Sequence, residues 1–224
     1  MKIQRRFKDI GIEGMAARWY DNNTRKYRLD EMREYAREVA EHIQDGCSVL
    51  EVAPGPGYLA IELAKLGNYK IIGLDISKDF VEIAQRNAVE AHISQNTIEF
   101  RQGSVANIPF PDNTFDFIVC TAAFKNFREP LKALHEMYRV LKSGRGTALI
   151  IDMNKNTSNQ QIENYIQNVE SKDIDKLFMR LIFKHFLRNG AYTKEEFISL
   201  ISKTPFQQYD IKEEGIGFYI YLVK

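Results

Sequence analysis

Apolar and polar positions follow two rhythms along this chain, and the change of rhythm marks out its elements. Over residues 13–45 apolar side chains return at helical spacing, Met15, Trp19, Met32, Tyr35, Val39 and Ile43 among them, which predicts helix up to the Asp45-Gly46 exit. From residue 48 short, nearly unbroken apolar runs take over, at 48–53, 70–75, 115–121 and 147–152, with a further strand at 97–102. Helical stretches at 58–66, 78–91 and 131–141 separate them, the first closed by Gly67 and the second capped by Ser77. Apolar strands alternating with helices predict a parallel sheet buried on both faces.

The last third changes the pattern. Residues 155–190 interpose helical material that starts at a capping box, Ser158-x-x-Gln161, and a second box, Thr193-x-x-Glu196, starts another helix. Two strands then follow, at 206–212 and 217–223, around Glu213-Glu214-Gly215. That connection is too short for a parallel crossover, so the pair is an antiparallel hairpin. The expected class is α/β: a doubly wound, mostly parallel seven-stranded sheet with a C-terminal antiparallel hairpin and a helical insertion before strand six. With no repeats or long linkers, residues 1–224 read as one domain.

Composition narrows the class without naming a chemistry. The chain has 224 residues, 44% hydrophobic and 27% charged, which excludes disordered, collagen-like and coiled-coil classes. Its formal net charge of +1 offers no overall attraction to nucleic acid or to an acidic membrane. No apolar run approaches the roughly 20 residues that span a bilayer. The basic start, Lys2 to Lys8, lacks the apolar core of a signal peptide. Cys47 and Cys120 make neither a disulfide framework nor a metal cluster and suit a reducing cytosol. The expectation is a cytoplasmic protein without a metal.

Chemistry first shows at Val49-Leu50-Glu51-Val52-Ala53-Pro54-Gly55-Pro56-Gly57-Tyr58-Leu59-Ala60. An apolar strand runs into a glycine turn and straight into a helix. Gly55 and Gly57 carry no Cβ and can take positive φ, so a ligand can approach the backbone closely. The helix that follows starts with unpaired N–H groups and a positive dipole end, suited to a polar or anionic group on a cofactor. The run also fits the dinucleotide fingerprint, so two nucleotide classes remain open at this point.

Asp75 closes the second strand 20 residues after Gly55, where a carboxylate can accept both ribose hydroxyls of an adenosine; the alternative is a helix-capping Asp ahead of Ser77. Gly103-Ser104-Val105 follows the third strand beside the same cleft and offers a backbone N–H and a side chain to an adenine edge. In this order the features resemble the class I S-adenosylmethionine-dependent methyltransferases with a Rossmann-like sheet, in particular the small-molecule group that includes the ubiquinone and menaquinone biosynthesis enzymes. Glu51-x-Ala53-x-Gly55-x-Gly57 is similar to that family's first motif, Ile72-Gly73-Leu74-Asp75-Ile76-Ser77 to its second and Phe100 to Phe110 to its adenine-side motif. Phe115-Asp116-Phe117-Ile118-Val119 resembles its fourth strand, and Leu131 to Gly146 the helix and turn before the fifth. Two positions depart from the pattern. Ala53 stands where the family has glycine and would be strained at positive φ, and Ser104 stands where it has Asp, a weaker acceptor.

The resemblance implies S-adenosylmethionine as cofactor, with S-adenosylhomocysteine as product. It implies Glu51 and the loop backbone at Ala53, Gly55 and Gly57 at the methionine end, with Thr121 near its ammonium. It implies Asp75 and Ile76 at the ribose and base, and Ser104 and Val105 at the adenine. Arg18 and Tyr20 fall in a helical cover over residues 1–46, where the family's Tyr reaches the cofactor carboxylate; the other reading makes Trp19 and Tyr20 core aromatics. The remaining parts are a cofactor-binding core at 47–152, a helical lid at 153–192, and the last helix with the hairpin at 193–224. No Asn/Asp-Pro-Pro-Tyr/Phe run follows strand four, where the chain reads Thr121-Ala122-Ala123-Phe124-Lys125-Asn126-Phe127, which favours a small-molecule acceptor over nucleic acid.

An activated sulfonium asks mainly for alignment and desolvation. Candidates for a catalytic residue are Tyr20 and His185, since His42, His92 and His135 read as surface positions. Around His185 a helix would set Arg180, Lys184 and Arg188 on one stripe, either a solvated face or a lid that meets an acidic substrate. Competing functions are an NAD-dependent oxidoreductase using the same glycine loop and a non-catalytic cofactor-binding protein. Glu51 in the loop's strand and the terminal hairpin count against the oxidoreductase. The expected form is a monomer or homodimer.

Overall fold

Strands that are apolar along their whole length need cover on both sides, and the sheet has it. A computed structural model describes residues 11–169, 176, 180, 183 and 188–224. Five parallel strands, β1 (Ser48–Val52), β2 (Lys70–Asp75), β3 (Ile98–Gln102), β4 (Phe117–Thr121) and β5 (Thr147–Met153), are completed by β6 (Gln208–Glu214) and β7 (Gly217–Val223). The spatial order is β3-β2-β1-β4-β5-β7-β6, with β7 antiparallel to both β5 and β6. Val49, Phe117, Val119, Leu149 and Ile151 point to one face, and Leu50, Val52, Ile118, Cys120, Ala148 and Ile150 to the other. Both sets are buried, as a two-sided parallel core requires.

The first face packs against α2 (Leu29–Glu41), α3 (Tyr58–Ala64) and α4 (Lys78–Glu90), and the second against α5 (Pro130–Val140) and α7 (Lys194–Ile201). Between β5 and α7, α6 (Asn159–Asn168) starts at its capping box and buries Ile162 and Ile166 against Met153 and Ala191. The second box caps α7 in the same reciprocal way. Because the chain leaves β1 toward β2 and β3 but returns to β4 on the other side, the C-terminal ends of β1 and β4 flank a crevice at the point where strand order reverses.

Three sequence expectations need correction. The N-terminal helical stretch is two helices, α1 (Gly14–Tyr27) and α2, broken at Arg28 (φ −127°, ψ 7°). Arg25 and Lys26 in the last turn of α1 and Asp30 and Glu31 in the first turn of α2 suit the two helix ends that meet there. Met15 and Trp19 lie outward, 87% and 50% exposed, because α1 packs through Ala17, Asp21 and Thr24 instead. At the other end, Phe206 does not begin a strand; it is buried edge-on against Tyr138, and pairing starts at Gln208. Elsewhere the bounds differ by one or two residues. Among the described residues no helix is long and apolar enough to cross a membrane.

Candidate functional site

The glycine loop after β1 has the backbone its sequence calls for. Gly55 and Gly57 sit at φ +55° and +80°. Gly57 is doubly constrained, since a Cβ there would come within 2.7 Å of the Phe100 ring and 2.9 Å of Ala84. Ala53 also takes positive φ, +54°, so the strain foreseen for an alanine at this position is present. Its N–H continues the sheet by donating to the Leu74 carbonyl (2.9 Å).

The carboxylates work inside this loop. Asp75 is 5% exposed; Oδ2 accepts the Gly55 N–H (3.0 Å) and Oδ1 the Ser77 N–H (2.8 Å). Asp75 thus ties the end of β2 to the glycine turn. Capping of α4 falls to Ser77, whose Oγ accepts the Phe80 N–H (3.0 Å). Burial, with Glu13 nearby, raises the Asp75 carboxyl above its ordinary range. Glu51, 2% exposed, accepts the Ala60 N–H (3.0 Å), so the chain itself answers part of the α3 N-terminus that the sequence left open for a ligand. Burial, with Asp75 adding repulsion, pushes Glu51 up to about 8.

The loops after β2 and β3 run side by side, the Gly103 N–H donating to the Asp75 carbonyl (2.8 Å). Ile76 is 39% exposed there, Ser104 and Val105 are half-buried, and Ser104 Oγ accepts the Ala106 N–H (3.2 Å). The motif on α5 braces this loop: Glu136 accepts the Ile108 N–H (2.7 Å), and Arg139 donates to the Ile108 and Phe110 carbonyls (2.8 Å each). On the outer side, Ser77 Oγ donates to the Ile12 carbonyl (2.7 Å), and Glu13 accepts the Lys78 and Asp79 N–H groups (3.1 Å each). The start of the described chain therefore lies against the Asp75 end of the crevice.

The crevice itself holds about 350 Å³ of empty space, part of it open to solvent. Ala53 to Pro56 form one wall, Thr121 and Ala122 at the end of β4 another, and Tyr20, Thr24, Arg28 and Met32 from α1 and α2 the cover. Of the sequence candidates, Tyr20, Ala53, Gly55 and Thr121 meet on this cavity. Glu51 lies buried beneath it and Gly57 inside the packing, while Asp75, Ile76, Ser104 and Val105 follow the adjoining edge. Arg18 is exposed. His185 and Lys184 lie outside the described residues. Arg180 and Arg188 do not form a free stripe: Arg180 Nε donates to both carboxylate oxygens of Glu163 (3.0 and 2.9 Å), and Arg188 donates to Asn159 (2.9 Å), both on α6.

Tyr20 is half-buried, edge-on to Phe80 (5.5 Å between ring centres), and its hydroxyl accepts from Arg28 Nη1 (3.2 Å). Arg28 also donates to Glu31 (2.7 Å), which accepts the Tyr35 hydroxyl (2.7 Å). Tyr165 of α6 reaches the same Arg28–Glu31 pair, so the insertion meets the cover at the rim of the cavity. A second network holds the cover to the loop. Asn87 Nδ2 bridges Asp21 and the Pro56 carbonyl (3.0 Å each), and the Tyr58 hydroxyl donates to Asp21 (2.7 Å).

Sequence reasoning missed Arg28, Ala122, Lys125 and Asp152. The last two form an ion pair, Lys125 Nζ to Asp152 Oδ1 at 2.7 Å, with side chains 5% and 1% exposed. The available signals were weak: a lone cation inside the run Ala122-Ala123-Phe124-Lys125, and an acid ending an apolar strand. Among the described residues no cluster of three His, Cys, Asp or Glu could hold a metal ion.

Known proteins are similar to this chain in sequence and fold. A family model described as a methyltransferase domain matches residues 50–150. The demethylmenaquinone methyltransferase of Lactiplantibacillus plantarum is 27% identical over 180 residues, 79% of this chain and 74% of that one. The chloroplastic 2-phytyl-1,4-beta-naphthoquinone methyltransferase of Arabidopsis thaliana is 31% identical over 183 residues, 77% of this chain and 69% of that one. A crystal structure from Methanococcus maripaludis, provisionally assigned as an S-adenosylmethionine-dependent methyltransferase, superposes with a TM-score of 0.79 at 26% identity, covering 96% of this chain and 94% of that one.

Proposed function

The chain belongs to the class I S-adenosylmethionine-dependent methyltransferases, and we propose that its acceptor is a small aromatic molecule of the quinone type. The observation that carries the site is the cavity at the strand-order reversal, walled by the glycine loop and the end of β4 and covered by Tyr20 and Arg28. The residues present fit the cofactor's parts. Asp75, already anchored to Gly55 and Ser77, keeps lone pairs for two ribose hydroxyls. Ile76 presents an exposed apolar surface to a base, and Ser104 an acceptor to its amino group. Arg28 and Tyr20 offer N–H and O–H donors to a carboxylate.

The bound cofactor supplies a methyl group already activated on sulfur. The protein supplies the rest: the loop and the β4 end align the reactants, and the cover of α1 and α2 excludes water. The quinone reading draws support from the relatives, which are named for demethylmenaquinone and a naphthoquinone, and from Met32 and the apolar Ala122 on the cavity wall. In this reading α6, touching the rim through Tyr165, closes over the acceptor. The enzyme works in the cytoplasm, as a monomer or homodimer, without nucleic acid. The test is turnover with S-adenosylmethionine and a panel of hydroquinones, naphthohydroquinones and non-aromatic alcohols. S-adenosylhomocysteine formed with the naphthohydroquinones supports the acceptor class; turnover confined to the non-aromatic acceptors contradicts it.

A further inference from the structure

Two alanines with left-handed backbone face one cavity: Ala53 at φ +54° and Ala122 at φ +55°. An L-residue keeps such a conformation only where its surroundings over-determine it. For Ala122 those surroundings are specific. Its N–H donates to the Ile151 carbonyl (2.7 Å), and its carbonyl accepts from Lys125 Nζ (2.5 Å). The same ammonium donates to Asp152 Oδ1 (2.7 Å), while Asp152 Oδ2 accepts the Lys125 backbone N–H (2.8 Å). Asp152 Oδ1 is fixed in turn by the Met153 N–H (2.8 Å).

A pair buried this deeply gains little net stability, because desolvation offsets the attraction. Stability is thus a weak reason for a charged clamp on a strained residue, and the clamped residue is part of the cavity wall. We propose that Lys125 is a positioning residue of the cofactor pocket: its ammonium, anchored by Asp152, holds the Ala122 turn in the left-handed form that shapes the wall opposite the glycine loop. The ligand's identity rests on the methyltransferase reading, whereas the clamp stands on geometry alone.

Two variants separate positioning from folding. Lys125→Met leaves the Asp152 carboxylate buried with no opposite charge, held only by the Lys125 and Met153 N–H groups, and loses stability. Lys125→Met/Asp152→Leu removes both charges and regains most of it. NMR couplings that report φ at Ala122, and calorimetry with S-adenosylhomocysteine, are read on the wild type and the double variant. The expected result is a folded double variant that has lost the positive-φ signature and binds S-adenosylhomocysteine at least tenfold more weakly. A double variant that keeps either the positive φ or the wild-type Kd overturns the proposal. A wild type that ignores S-adenosylhomocysteine, while the Ala122 signature still disappears in the double variant, upholds the clamp and removes the methyltransferase reading instead.

Discussion

The two walls of the cleft are built on opposite principles. The glycine-loop wall shapes itself through backbone freedom, with Gly55 and Gly57 at positive φ and Asp75 drawing the Gly55 N–H into place. The wall at the end of β4 has no glycine. Ala122 takes the same left-handed backbone as an L-residue, and a buried Lys125–Asp152 pair holds it there. The cover is of the second kind too, with Arg28 set between Glu31 and Tyr20. Apart from Ala53, the first wall avoids strain by residue choice; the other tolerates strain and restrains it with charge. The difference predicts that substitutions of the loop residues in the first wall act through φ and sterics, and those in the second through uncompensated charge.

The largest effect comes from the carboxylate buried beneath the first wall. Glu51 sits near 8 in the folded protein against an ordinary 4.5. An acid with a raised folded pKa contributes stability that is complete below about 4.5 and disappears as pH rises through about 8. Between pH 5 and 9 the wild type is expected to lose about 2–4 kcal/mol from this group. Glu51→Gln flattens that slope, as urea unfolding across the pH series would record. A variant whose slope matches the wild type places the protonation elsewhere.

Next comes Gly57→Ala. It combines a positive φ with a Cβ 2.7 Å from Phe100, and is expected to cost about 2–3 kcal/mol in denaturant unfolding. A loss below about 0.5 kcal/mol would mean that the loop can relax, and that glycine is not what shapes this wall. Asp75→Ala should weaken S-adenosylhomocysteine binding by about 1.5–3 kcal/mol in calorimetry, the scale of hydrogen bonds to a charged group. An unchanged Kd would remove Asp75 from the ribose. The smallest effect has the opposite sign. Ala53→Gly relieves the φ of +54° and is expected to raise stability by about 0.5–1 kcal/mol in the same unfolding assay, bringing the first wall fully to the glycine principle.

The same contrast explains what could be read in advance. The sheet was legible because runs such as Ile71 to Leu74 and Ile118 to Cys120 are apolar on both faces, a signal written within five or six residues. The boxes at Ser158–Gln161 and Thr193–Glu196 were legible because a capping box closes within one turn. The helix break at Arg28 was not, since α1 and α2 share one apolar period and only the switch from Arg25-Lys26 to Asp30-Glu31 marks the joint. Lys125 could not be paired in advance with an acid 27 residues away across a strand and a helix. Glycine spacing thus located one wall of the site and the family resemblance its cover at Tyr20, while the charge-held wall and Arg28 of the cover emerged only when separate elements met.

The central claim is that this cleft takes S-adenosylmethionine, and calorimetry of the wild-type protein against S-adenosylhomocysteine and NADH tests it most directly. The expected result is saturable one-site binding of S-adenosylhomocysteine, weaker by about 1.5–3 kcal/mol in Asp75→Ala, with no heat from NADH. Binding of NADH without any response to S-adenosylhomocysteine would contradict it.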